Sequence, residues 1–274
     1  MCFSLLSAVL CGKNEDFLVW FKSHGGTATG VSVKEFPDMG RGIVATQELV
    51  SGEEVLYIPS NLLLSKNTLL SSKDSLHRRI ADTFASSELC VISTLLLEKS
   101  RGIRSNWKPY LDVLPKYVPN LSHFPVTILN ELQNHVLKEE AIENQRSITT
   151  NYAHFINKAT HFWPSDISQI SLEDYKWAAS IVDSRGLRFK GEVVLAPMAD
   201  MFNYNSNNID RESQGGSFFL KHHILDKDGL SITADRDCPN NHQLYEDYGD
   251  NLDNIYITYH GFVPDQNPFR CVML

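Results

Sequence analysis

A chain of 274 residues, 42% hydrophobic and 21% charged, has the make-up of a globular protein of one large or two small domains. Its net charge of -8 argues against a general nucleic-acid binder, which needs a basic stripe, and suits a basic or neutral partner. No stretch approaches the ~20 apolar residues of a membrane span, and the five cysteines (Cys2, Cys11, Cys90, Cys238 and Cys271) form no C-x-x-C pair, so reduced thiols in an intracellular protein are expected and no zinc cluster.

Residues 1–12 are apolar but lack a basic leader and a small-x-small cleavage site, so they read as a fragment start or a helix packed on the body. A short amphipathic helix follows from Phe17 to His24, stopped by Gly25-Gly26. Strand-like runs come next, Val31 to Val33, Gly42 to Ala45 and Glu54 to Ile58, separated by turns at Pro37-Asp38 and Ser51-Gly52. The turn Gly40-Arg41-Gly42 lets backbone approach a ligand closely, although an ordinary hairpin turn reads the same way.

From about Leu76 to Val182 the pattern turns helical. Leu89, Ile92, Leu95 and Leu96 recur at helical spacing between Ser86-Ser87 and Gly102. Trp107-Lys108-Pro109-Tyr110-Leu111 reads as an aromatic, proline-stiffened crossing loop ahead of Leu114-Pro115. Helical spacing returns from Val126 to about Ile142 and again from Asn151 to Thr160. Ser171 caps a further helix, with Asp174 at the reciprocal position.

Val193 to Leu195 is an apolar strand that leads through Pro197 into Asp200, Asn203, Tyr204 and Asn205. A buried run ending in amides and a carboxylate delivers polar groups to a pocket; a core strand followed by an Asn-rich loop is the plainer reading. Ser217 to His223 reads as a strand, Asp226-Lys227-Asp228-Gly229 as a hairpin turn, and Leu230 to Ala234 as its return. The turn fails as a calcium loop, because its Gly is misplaced and no Glu follows at the right distance. His222 and His223 point to opposite faces of a strand, so no metal site is expected there.

Four motifs stand in order along the chain: Gly40-Arg41-Gly42, Ser184-Arg185-Gly186, Asp200 to Asn205, and Tyr248-Gly249 with His260-Gly261-Phe262. Taken together, and with the Trp107 to Pro115 segment, they resemble the SET-domain protein methyltransferases. The nearest pattern is that of the split-SET branch typified by the Rubisco large-subunit lysine methyltransferase and the actin-histidine methyltransferase. The resemblance implies an α+β fold: a SET domain of small twisted β-sheets, split by an α-helical insert, with a threaded C-terminal segment. The corresponding partition is an N-terminal helical segment at 1–26, SET halves at 27–75 and 183–274, and the insert at 76–182.

It further implies S-adenosylmethionine as cofactor and a lysine or histidine of a protein substrate as methyl acceptor; a monomer is expected, and charge and hydropathy point to no direct nucleic-acid or membrane partner. Tyr248 takes the catalytic position, its hydroxyl orienting the methyl group. Backbone at Gly40, Arg41 and Gly42 borders the donor, Arg185 pairs with its carboxylate, Asn203 serves its amino-acid end, and Asp200 belongs to the same cofactor-binding motif. Tyr204, His260, Gly261 and Phe262 border the adenine. Two positions depart from the family pattern. Tyr204 stands where the family has His, and His260 where many members have Tyr. The first departure leaves open a degenerate, inactive module that binds a partner through the insert. Longer members carry a helical docking domain after the matched region, so this chain, ending at Leu274, is expected to recognise substrate through the insert or to be a fragment.

Overall fold

The computed structural model describes residues 2–37, 39–164, 166–189, 191–205, 218–220, 222–226 and 228–270. Its first helix, α1 (Cys2–Ser23), is much longer than the expected Phe17 to His24 helix, because the apolar leader continues the same helix. Phe17, Trp20 and Phe21 form the buried stripe of its last turns. The helix stops at a turn where Gly25 takes φ +93 and where a side chain at Gly26 would collide with the Phe21 ring at 2.5 Å.

Strands from both ends of the chain interleave. β1 (Thr27–Ala28), β2 (Val31–Phe36), β3 (Gly40–Ala45) and β4 (Glu54–Pro59) come from the N-terminal half. β5 (Leu187–Phe189), β6 (Glu192–Val194), β7 (Phe218–Leu220), β8 (His222–Leu225), β9 (Gly229–Thr233) and β10 (Gln243–Glu246) come from the C-terminal half. One four-stranded sheet runs β1-β4-β9-β8 and the other β2-β3-β10-β7, with β5 and β6 as a separate hairpin. The β3–β10 register, Val44 opposite Gln243 and Ile43 opposite Leu244, ties the halves together beside the site. The segment expected as one strand to His223 is two, β7 parallel to β10 and β8 antiparallel to β9, in different sheets; Ser217 lies outside the described residues. The β8–β9 hairpin turns as expected at Asp226, whose carboxylate accepts from the amides of Asp228 and Gly229; Lys227 lies outside the described residues.

Between β4 and β5 the chain forms α2 (Lys66–Leu70), α3 (Ser75–Thr83), α4 (Ser87–Arg101), α5 (Lys108–Val113), α6 (Val126–Leu129), α7 (His135–Ala159) and α8 (Leu172–Arg185). The presumed crossing loop at Trp107 to Leu111 is α5: Pro109 sits in its first turn, where no helical N–H is needed. The helix expected across 126–142 is broken, because the Asn134 side chain caps the Leu137 amide and starts α7 afresh. α7 then absorbs the separate stretch expected at 151–160. Ser171 and Asp174 form the reciprocal capping box that opens α8. After β10 the chain forms a short helix, α9 (Asp253–Ile255), continued by a π-helical turn, Tyr256–His260. This turn packs on α8 and on residues 121–123. No helix among the described residues is long and apolar enough to cross a membrane.

Candidate active site

The last turn of α8 delivers Ser184 and Arg185. Gly186 keeps that end tight, since a Cβ there would stand 2.5 Å from the Val182 carbonyl. Arg185 Nη1 donates to the Asp200 carbonyl at 2.5 Å and lies 3.7 Å from the Asp200 carboxylate. Asp200 is aimed inward by a sharp turn in which Met198 adopts φ +77. The Asp200 side chain is fully buried, and its Oδ2 accepts from the Tyr110 hydroxyl at 2.8 Å. Burial raises the Asp200 carboxyl, against the pull of the Arg185 charge, and burial also holds Tyr110 well above the usual phenol range.

Asn203 sits where its chain pairs with β10: the Glu246 amide donates to the Asn203 carbonyl at 2.9 Å. The Asn203 amide donates to the Arg41 carbonyl at 3.2 Å. That approach needs Gly42, where an added Cβ would stand 2.6 Å from Asn203 Nδ2. The Arg41 guanidinium turns elsewhere. Its Nε donates to Asn14 at 2.8 Å, its Nη1 donates to the Val113 carbonyl, and Glu35 lies 3.3 Å away. The side chain thus fastens β3 to α1 and α5; the Arg41 backbone bonds Asn203, and the guanidinium charge reaches Asp200 and Arg185. Gly40 takes φ +67 at the start of β3, with open space where a side chain would be.

Beside these groups lie five rings. Tyr204 stands 5.4 Å from Tyr248, 5.0 Å from Tyr256 and 6.1 Å from Phe262, centroid to centroid. His260 stands 4.9 Å from Tyr248 and 6.2 Å from Phe262. Gly261, at φ +80, bends the chain out of the π-helical turn close to Pro119 and Asn120. The Tyr248 hydroxyl donates to the Phe202 carbonyl at 2.8 Å, and burial pushes its pKa up to about 12, so it is a neutral phenol. His260 Nδ1 lies 3.2 Å from the Ser184 carbonyl, which fixes the proton on Nδ1 and leaves a lone pair on Nε2. Burial lowers the His260 pKa, favouring this neutral form.

The expected residues therefore converge in three linked groups: Arg185 with Asp200; Gly42 and the Arg41 backbone with Asn203; and Tyr204, Tyr248, His260 and Phe262 around Gly261. Gly40 is not brought into contact with them. Sequence reasoning missed Tyr110, the hydrogen-bond donor to Asp200, and Tyr256, the fully buried ring beneath Tyr204. Tyr110 was visible within the Trp107 to Pro115 motif; Tyr256 carried only its four-residue spacing from His260. A cavity of about 950 Å³ lies elsewhere, lined by groups such as Trp20, His77, Glu98, Arg101 and Trp107. Convergence of chemistry, not size, marks the site.

This architecture is that of a SET domain. It superposes on the SET domain of LSMT bound to lysine and AdoHcy with a TM-score of 0.77 at 20% identity, over 92% of this chain and 57% of that one. Rubisco LSMT bound to AdoMet gives a TM-score of 0.76 at 20% identity, over 92% of this chain and 57% of that one. By sequence, the chain is similar to the actin-histidine N-methyltransferase of Xenopus tropicalis, 26% identical over 96% of this chain and 46% of the relative. The Homo sapiens actin-histidine N-methyltransferase is 25% identical over 96% of this chain and 45% of its own length. The chain thus spans about half the length of the curated relatives it matches. No protein-family model matches it.

Proposed function

We propose that the chain is an S-adenosylmethionine-dependent protein N-methyltransferase acting on a lysine or histidine side chain. One observation carries the reading: a neutral tyrosine hydroxyl, Tyr248, is pinned inside a ring cluster by the Phe202 carbonyl, next along the chain to Asn203, and feels the charges of Arg185 and Asp200. The residues fit the donor. The Arg185 guanidinium has five N–H groups, one of which is committed to the Asp200 carbonyl, and its side chain remains 25% exposed. Its remaining fork suits a carboxylate. Asn203 offers its amide oxygen to the donor's ammonium, while its nitrogen stays on the Arg41 carbonyl. Tyr204 and Phe262 offer faces to a purine.

Bound there, the donor supplies an electrophilic methyl group to the lone pair of an uncharged acceptor nitrogen. The protein's part is alignment, from which most of the rate can come. Because the Tyr248 hydroxyl donates its hydrogen bond to the Phe202 carbonyl, its oxygen lone pairs are the side left to accept C–H contacts from a polarised methyl group. The rings exclude water and disfavour a charged amine, which lowers the pKa of an entering lysine. An imidazole acceptor needs no such shift.

Titration calorimetry with S-adenosylmethionine and S-adenosylhomocysteine tests the reading, followed by methylation of a cell extract with labelled donor. Saturable binding and a labelled protein are expected. Absence of binding in this chain, restored by Tyr204→His, would favour a drifted site that serves as an interaction module. Absence in both forms would overturn the donor site.

A further inference from the structure

A second pocket, of about 210 Å³, opens where α4, α7 and α8 meet the π-helical turn, with Glu88, Asn144, Tyr175, Asp183, Arg188 and Tyr259 among its walls. Tyr175 is 1% exposed, and its hydroxyl has no hydrogen-bond partner among the described residues. The Asn144 side-chain nitrogen is likewise buried without one. Groups left so are costly unless a ligand or water completes them. Two carboxylates, Glu88 and Asp183, line the same space. The one cation on its wall is Arg188, 3.8 Å from Glu88 with its side chain 62% exposed, a rim pair of little strength. Among the described residues nothing donates a hydrogen bond to Asp183; burial and Glu88 push its carboxyl up to about 7, with Arg188 opposing.

The pocket adjoins the reaction cluster along the chain. Asp183 precedes Ser184, whose carbonyl holds His260, and Tyr259 precedes His260. A side chain lodged in the pocket therefore touches residues one position along the chain from Ser184 and His260.

We propose that this pocket receives the guanidinium of an arginine that flanks the methylated residue of the protein substrate; the word substrate rests on the methyltransferase reading, the pocket does not. Spare acceptors are spread over α4 (Glu88) and α8 (Tyr175 and Asp183), and turning the Asn144 amide adds a third wall. A planar fork with five N–H groups reaches such a spread, whereas an ammonium presents three donors from one point.

Two measurements test it on the full chain. In the first, peptides with a lysine or histidine acceptor and with arginine or citrulline at flanking positions are assayed with labelled S-adenosylmethionine. One arginine position is expected to raise kcat/KM by roughly tenfold or more over citrulline, and Asp183→Asn or Tyr175→Phe to erase most of that ratio. In the second, Nα-acetyl-arginine amide, Nα-acetyl-citrulline amide and Nα-acetyl-lysine amide are titrated against protein carrying labelled tyrosine. The Tyr175 resonance should shift saturably with the arginine compound alone, with a dissociation constant of order 10 mM for so small a ligand. Turnover without arginine dependence overturns the pocket and leaves the methyltransferase standing. Arginine binding without turnover of any peptide upholds the pocket and overturns the methyltransferase. No arginine binding, or tighter binding of the lysine compound, overturns the pocket outright.

Discussion

Replacing Gly42 by alanine puts a methyl group where the two halves of the fold meet at the site. The new Cβ would stand 2.6 Å from Asn203 Nδ2, 2.6 Å from Gln243 Nε2 and 3.0 Å from Phe36 Cε2. Ordinary contact is ~3.5 Å, so the Asn203 amide must retreat by roughly 0.9 Å. Its bond to the Arg41 carbonyl, already 3.2 Å long, does not survive that. The lost bond costs about 1 kcal/mol. Overpacking adds about 1 more, the low end of its range, because both amides are side-chain tips that can swing. A total of about 2 kcal/mol lowers Tm by roughly 4–8 °C in a domain of this size. Donor affinity should fall by roughly tenfold or more, since Asn203 no longer faces the ligand. Thermal unfolding and donor calorimetry on the same preparation measure both effects. The double variant Gly42→Ala/Asn203→Ala should cost less than the sum of the singles, because removing Asn203 removes part of the collision. A Gly42→Ala protein with unchanged Tm and unchanged donor affinity would refute the reasoning, and so would strict additivity in the double variant.

Tyr248→Phe removes the hydroxyl bonded to the Phe202 carbonyl. It should cost about 1 kcal/mol of stability, leave donor affinity within roughly twofold and reduce turnover by roughly a hundredfold or more, as steady-state kinetics beside calorimetry would reveal. Asp183 gives a pH signature. Burial and Glu88 push its folded pKa up to about 7, above the ~3.9 of an unfolded Asp, so the folded chain holds an extra proton between those values. The associated stability is full below pH ~4 and is lost as pH rises through about 7. Asp183→Asn should therefore match the parent Tm near pH 4 and exceed it near pH 8; a difference that does not change with pH would sink the assignment.

Local chemistry was legible in the sequence wherever a few neighbouring residues settle the backbone. The Ser171–Asp174 capping box and the Asp226–Gly229 turn formed where their side chains dictate, and the Gly25-Gly26 stop where the lack of one allows it. Legibility ended where distant packing decides. Whether 218–225 is one strand or two depends on partners 25 residues or so onward in β10 and just ahead in β9. The Asn134 cap overrode a helical pattern that reads through it on hydrophobic spacing alone. α5 looked like a loop because Pro109 suggests a breaker, yet a first helical turn tolerates it. In the site, the motif residues were readable as a set, but the bond from Tyr110 to Asp200 spans 90 positions. Tyr256 fell between two motifs and reaches the rings only because a helical turn carries it there.

The two departures from the family pattern meet in space. On the resemblance read from the sequence, Tyr204 stands at a His position and His260 at a position often held by Tyr. Both rings contact Tyr248, at 5.4 and 4.9 Å, and both also contact Tyr256 and Phe262. Around Tyr248 the cluster therefore still holds one further phenol and one imidazole at these two positions, with their places exchanged. Packing couples the two positions: a larger ring at 204 needs a smaller one at 260 if the shared neighbours are to stay put. Residues that share three neighbours are expected to be coupled. Tyr204→His alone should open a gap beneath Phe262, and His260→Tyr alone should crowd Tyr248 and break the bond to the Ser184 carbonyl. Each single change should lower both donor affinity and turnover, and the double exchange should recover most of both. A double variant as impaired as the product of its singles would show that the two positions changed for unrelated reasons, and the argument for a working, rearranged pocket would lose its support.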